Sequence, residues 1–140
     1  MATVFLICPL FEQTFKEKLI TDPVIKQKFI EFRKIKEANH IAPFGASDKL
    51  FKPSGNFGSA VKGIAHAHLT HDISICYKVS GSNPAVIRLY GVFTHDELGT
   101  GSPANDRKQK SVAKKMSNQQ FADAPEVEQP AKVDKNIRRR

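Results

Sequence analysis

Apolar and polar residues alternate along two runs in the middle of the chain, on either side of the segment HAHLTHD at positions 66–72. Successive side chains of a strand point to opposite faces. Ala65, Ala67 and Leu69 therefore share one side of the first run, and His66 and His68 the other. In the second run, DISICYKV, the apolar set is Ile73, Ile75, Tyr77 and Val79, and the other set is Asp72, Ser74, Cys76 and Lys78. The two apolar sets meet on one face only if an odd number of residues makes the turn. A three-residue turn at Leu69-Thr70-His71 does this, and sets His68 opposite Asp72 and His66 opposite Ser74. The turn has no glycine, although histidine is among the non-glycine residues enriched at positive φ. The pattern predicts a hairpin of about 60–68 and 72–80, with acid–base groups on its outer face.

Upstream, residues 2–8 read as a short buried strand ended by Pro9, and 10–20 carry apolar positions near helical spacing. Asp22-Pro23 is a helix-start pair, a capping carboxylate followed by proline at the first helical position. From there Ile25, Phe29, Phe32 and Lys36 trace one stripe to about Asn39, giving an amphipathic helix pair packed on a sheet. Lys26, Lys28, Arg33, Lys34 and Lys36 are expected on its solvated face. Residues 40–60 are loop-like, punctuated by proline and glycine. Downstream, AVIRLYGVFT at 85–94 adds a third strand and an antiparallel meander. Parity puts His95 on the side of Ile87, Leu89 and Phe93, so a bulge at Gly91 or an early strand end is needed to bring it outward. Residues 104–118 can form a helix, with Val112 and Met116 nearly its only large anchors. Beyond it the chain turns polar, and 122–140 is expected to be disordered.

Charge narrows the class of partner. The 140 residues carry a formal +8. Lys and Arg number 12 against 9 acidic residues in 1–101, and 10 against 5 in 102–140. A basic protein of this size points to a polyanion, nucleic acid first. The longest apolar run, ATVFLIC, is too short to span a membrane, and no basic segment precedes it as in a signal peptide. Cys8 and Cys76 lie in apolar runs as single thiols, so a reducing cytoplasm is expected rather than a disulfide framework.

The histidine segment admits three chemistries. HAHLTHD is similar to the HxHxDH metal box of the metallo-β-lactamase fold, but its last aspartate and histidine are transposed and the remaining ligands are absent; a simple zinc site stays open. Histidines and an aspartate can also satisfy one another on a solvated face. The third is RNA cleavage through the 2′-hydroxyl, which needs a base, an acid and a cation for the phosphate, and neither metal nor cofactor.

The segments KGIAHAHLTHDISICYKV and GVFTHDEL, in a chain read as strand, two helices and meander, resemble the RelE/ParE superfamily of toxin–antitoxin toxins and, within it, the YafQ branch. The resemblance covers 62–98 by motif and 1–61 by element order. It implies an α+β fold, an N-terminal strand and two helices on a small antiparallel sheet, in a toxin domain 1–101; the change of composition and charge marks 102–140 as a basic extension beyond the resemblance. It also implies an mRNA endoribonuclease acting on the ribosome without metal, held by a cognate antitoxin. His68, Asp72 and His95 fall on the branch's catalytic positions, and His66 falls where the branch has an aspartate. Lys52, Lys62, Lys78 and Arg88 are the expected RNA contacts. Two positions depart from the branch. The loop before Lys62 lacks a histidine, with Lys52 and Ser54 nearby. Gly99 stands in place of a base-holding phenylalanine, for which Phe93 or Tyr90 could substitute. The alternative is a non-enzymatic module like the gyrase-directed ParE branch, which generally lacks such histidines.

Overall fold

A computed structural model of the chain describes residues 3–46, 48–50, 62–81, 84–100 and 105–123. In chain order the elements are β1 (Val4–Ile7), α1 (Pro9–Thr21), α2 (Val24–Ala38), β2 (Lys49–Leu50), β3 (Ile64–His68) and β4 (Ile73–Ser80). They continue with β5 (Val86–Thr94), α3 (His95–Leu98), α4 (Asp106–Ser117) and β6 (Ala122–Asp123). The class is α+β, as expected, around one sheet in the order β2-β3-β4-β5-β1-β6. It is mixed rather than antiparallel throughout: β1 lies parallel to β5, with Val4 opposite Val86 and Ile7 opposite Leu89. Two helices separate β1 from the meander, a crossover long enough for parallel pairing. No helix among the described residues is long and apolar enough to cross a membrane.

Local chemistry explains the N-terminal half. Pro9 opens α1, where its missing N–H would have had no partner. The Cys8 thiol, buried before it, lies 3.5 and 3.4 Å from the Leu89 and Tyr90 carbonyl oxygens. Asp22 does not cap α2 as expected: it closes α1, its N–H bonded to the Lys18 carbonyl, and Pro23 precedes the first residue of α2 without a side-chain cap. The first core joins Phe11, Ile25, Phe29 and Phe32 of the helix pair to Ala65, Ala67, Leu69, Ile73, Ile75 and Tyr77.

Two residues of the expected solvated face are inside. Arg33 is buried, its guanidinium over the Phe5 ring at 4.5 Å. Lys36 is 2% exposed; its ammonium donates to Asp48 at 2.8 Å and to the Ala42 carbonyl at 2.6 Å. Asp48 also accepts from the Phe44 N–H at 2.7 Å and from the Tyr77 hydroxyl. Burial, then the bond to Asp48, pushes the Tyr77 phenol pKa up. A lysine that completes the apolar stripe is tolerated because a carboxylate and a carbonyl meet it.

The opposite face of the sheet carries a second core. Val112, Ala113 and Met116 of α4 pack on Ile64, Cys76, Tyr90, Phe93 and Leu98. The outer face of the hairpin, read as solvated, is therefore covered over Cys76, which is fully buried. Beyond α4 the chain stays ordered through Asp123. Gln119 accepts from the Leu10 N–H at 3.1 Å, Phe121 meets the Tyr90 ring edge-on at 4.9 Å, and β6 pairs with β1. Of the stretch 122–140 expected to be disordered, only Ala122 and Asp123 are described, and they pair with β1; residues 124–140 lie outside the described residues.

Candidate active site

The hairpin has the expected parity and a register displaced by two residues. His68 faces Ser74 and His66 faces Cys76. Leu69 N–H bonds to the Ile73 carbonyl at 2.8 Å, so the turn is Thr70-His71-Asp72. Thr70 closes it without glycine, its hydroxyl accepting from the Ile73 N–H at 3.1 Å and the Asp72 N–H at 3.4 Å. A threonine bonding its own backbone two or three residues on is a turn signal, and here it outweighs the reading that began the turn at Leu69. Leu69 stays in the core at 3% exposure.

His95 reaches the same corner through a bulge in β5. Cys76 faces Gly91, but Tyr77 faces Leu89, leaving Tyr90 as the extra residue. One extra residue exchanges the two faces of everything after it. Ile87 and Leu89 belong to the first core and Phe93 to the second. His95 is thereby freed from the side of Ile87 and Leu89, and the bulge lies next to Gly91. Thr94 then starts α3: its hydroxyl accepts from Glu97 N–H, and the Glu97 carboxylate accepts from Thr94 N–H at 2.9 Å. This capping box fixes His95 as the first helical residue.

Three of the sequence-selected residues come together here. His68 Nε2 lies 3.3 Å from His95 Nε2. His95 Nδ1 lies 3.6 Å from Asp72 Oδ1, and the Asp72 carbonyl accepts the His95 backbone N–H at 3.1 Å. The side chains of His95 and Asp72 remain 34% and 51% exposed. Partial burial, then the neighbouring His95 and His71, lowers the His68 pKa below its ordinary 6.5. Burial, then His68 and Lys49, lowers that of His66. The result is a pair of imidazoles in contact, one favoured neutral, the other beside a carboxylate. Ser74, directly opposite His68, is 1% exposed, and its hydroxyl has no hydrogen-bond partner among the described residues.

The other selected residues lie elsewhere. Lys78 and Arg88 face each other, Arg88 donating to Ser80 at 2.9 Å. They stand four residues along β4 from Ser74, roughly 13 Å away. Lys62 is exposed just before β3, and Lys52 is outside the described residues. Lys49, which sequence reasoning did not select, stands opposite His66 on the neighbouring edge strand. With Lys52 and Lys62 it gives the loop a basic character, but nothing in the sequence singles it out, because β2 is two residues long in a loop-like stretch. Gly99 is left-handed, φ 76°, and a Cβ there would come within 2.4 Å of the Asn105 carbonyl oxygen. The α4 N-terminus docks where a larger residue would stand. Phe93 and Tyr90 are 5% and 9% exposed in the second core, so neither presents a ring for a base. Among the described residues, no three His, Cys, Asp or Glu are grouped to hold a metal ion.

No known protein family and no curated protein matches the chain. Among solved structures it is similar to a YoeB/ParE toxin from Agrobacterium tumefaciens, with a TM-score of 0.52 and 18% identity. The likeness covers 68% of this chain and 99% of that one. What the two share is the fold.

Proposed function

We propose that the chain is an mRNA endoribonuclease toxin, acting on ribosome-bound message in the cytoplasm and restrained by a cognate antitoxin. The observation that carries this reading is the contact between His68 and His95 with Asp72 behind it. His68, whose pKa is lowered, is the base: its neutral Nε2 takes the 2′-hydroxyl proton, and the freed oxygen attacks phosphorus. The bond to the 5′-oxygen breaks, and His95 Nε2–H protonates that leaving group. A 2′,3′-cyclic phosphate and a 5′-hydroxyl result. An incoming phosphodiester separates the two rings, so that each serves one side of the phosphorus. Asp72 orients His95 and pairs with its protonated ring. Lys49 supplies positive charge for the phosphate oxygens, an effect that often dominates such chemistry, and His66, opposite it, is an auxiliary group. Each positioned acid or base contributes about 10²–10⁴-fold.

The test is induction of the chain in cells, followed by mapping of RNA 5′ ends. New 5′-hydroxyl ends within messages, retained by purified protein in excess chelator, are expected. Arrested growth with DNA damage and intact message would replace this reading with the gyrase-directed one. Loss of cleavage in chelator and recovery with zinc would replace the acid–base mechanism with a metal-dependent one.

A further inference from the structure

Helix α4 carries five basic residues and one acidic residue in twelve positions. Its inner stripe of Val112, Ala113 and Met116 is buried against the sheet. Arg107, Lys110 and Lys114 recur at helical spacing on the outside, and all three are exposed. No carboxylate among the described residues pairs with any of them. One flank of the helix, with Lys108, Ser111 and Lys115, borders a groove shared with α1 and Phe93. Arg107, Lys110 and Lys114 do not line that groove, and α4 packs on the sheet face of Ile64 and Cys76, to which His66 and His68 also belong.

The N-terminal turn of α4 is tied to the short helix that holds His95. Lys108 pairs with Asp96 at 2.7 Å, Gln109 donates to the Gly99 carbonyl at 2.8 Å, and Asn105 N–H bonds to the same oxygen at 2.9 Å. Asn105 caps the helix through Lys108 N–H. The basic stripe is thus fixed relative to the imidazole pair, whereas Lys78 and Arg88 lie at the far end of the hairpin. A row of cations on a helix tied to the one that carries His95 fits a polyanion whose backbone runs between the two.

We propose that α4 is an RNA-docking helix, on which Arg107, Lys110 and Lys114 hold phosphates of the strand whose scissile bond sits at His68 and His95. The proposal rests on the ribonuclease reading and names the surface that reading lacks. Neutralising a phosphate contact lowers the slope of log affinity against log salt by about 0.7 for single-stranded nucleic acid. The probe is a labelled single-stranded oligouridylate, bound to the full chain carrying His95→Ala so that it is not cut. Adding Arg107→Gln, Lys110→Gln and Lys114→Gln is expected to weaken binding and lower the slope by about 2. Lys110→Gln alone is expected to lower it by about 0.7. Lys16→Gln, Lys26→Gln and Lys34→Gln, an equal charge change on exposed positions of α1 and α2, should leave it near the parent value. An unchanged slope in the α4 variant, or equal falls in both triple variants, overturns the proposal. So does loss of poly-glutamate binding with RNA binding retained, which would make the helix a surface for an acidic protein segment. Binding is read without cleavage, so the two ideas fail separately. A lowered slope in a chain that never cuts RNA keeps the surface and removes the nuclease. Cleavage with an unchanged slope does the reverse.

Discussion

Two clusters of titratable side chains, each built on one carboxylate, sit on opposite faces of the sheet. Around Asp48 the partners are Lys36, Tyr77 and the Phe44 N–H, with Lys36 also donating to the Ala42 carbonyl, at 2.6–2.8 Å where nitrogen donates, and the ion pair is 2% and 3% exposed. Around Asp72 the partners are His95 and, through it, His68, at 3.3–3.6 Å between side chains and with a third to a half of the surface open. The first cluster has its polar capacity used internally and its ion pair withdrawn from solvent. The second is held in place by backbone bonds and a helix cap, and its side-chain nitrogens and oxygens keep capacity to spare. Short, saturated and closed marks a structural network; longer, unsaturated and open marks one available for chemistry.

The largest expected difference between the two is in function. His68→Ala, His95→Ala and Asp72→Ala should each lower RNA cleavage on the order of 10²–10⁴-fold. Their unfolding free energies should stay within about 0.5 kcal/mol of the parent, as for other open sites. Exposed His71→Ala should cut RNA at nearly the parental rate. Single-turnover cleavage alongside urea melts separates the effects, and unfolding of His95→Ala would show that the open cluster is structural after all.

Next comes the closed cluster. Asp48→Ala leaves a buried ammonium without its carboxylate and should cost about 3–5 kcal/mol. Removing both charges, as Lys36→Met with Asp48→Ala, should recover part of that in the same urea titration. Equal losses for the single and double variants would mean that the ion pair is not what holds the 40–48 segment.

A smaller effect is expected at Ser74, beneath the open cluster. A buried hydroxyl without a partner forfeits its hydration, so Ser74→Ala should stabilise the fold by about 1 kcal/mol. Destabilisation instead would mean that the hydroxyl has a bonding role beside His68.

The smallest concerns protons. The pKa values of His66 and His68 are lowered in the folded chain from an ordinary 6.5. The unfolded chain therefore binds more protons just below pH 6.5, and the stability contributed by these groups falls as pH drops through that range. Melting temperature should decline from pH 7.5 toward pH 5, less steeply in His66→Asn/His68→Asn. The acid limb of cleavage should fall below pH 6.5, since His68 must be neutral to act as base. A melting profile rising toward acid would show the cluster to be stabilised by protonation.

Several features of this protein were legible without a fold. Alternation on both sides of 66–72 sufficed for the hairpin and its parity, because a strand's two faces differ in what they bury. The same arithmetic at Ile87, Leu89 and His95 asked for a bulge at Gly91 or an early strand end if His95 was to face outward, and a bulge is present one residue away, at Tyr90. The Thr-x-x-Glu spacing at Thr94 and Glu97 is likewise a local signal for the helix start at His95. The apolar stripe of α2 located its buried face, including the position of Lys36.

Other features depended on contacts between distant residues. Turns at 69–71 and 70–72 have the same parity, so periodicity alone does not separate them; Thr70's bonds and the burial of Leu69 do. Charge marked Arg33 and Lys36 for solvent, and only Phe5 and Asp48, brought in from other elements, make their burial tolerable. Val112 and Met116 look too few to anchor a helix until Cys76, Tyr90, Phe93 and Leu98 form the surface that receives them. Lys49 gained its place beside His66 the same way, through a two-residue strand whose pairing exists only once β3 is there to receive it. Periodicity records which side of an element is dry, whereas the identity of the neighbour across the gap is settled by packing between segments far apart in the chain.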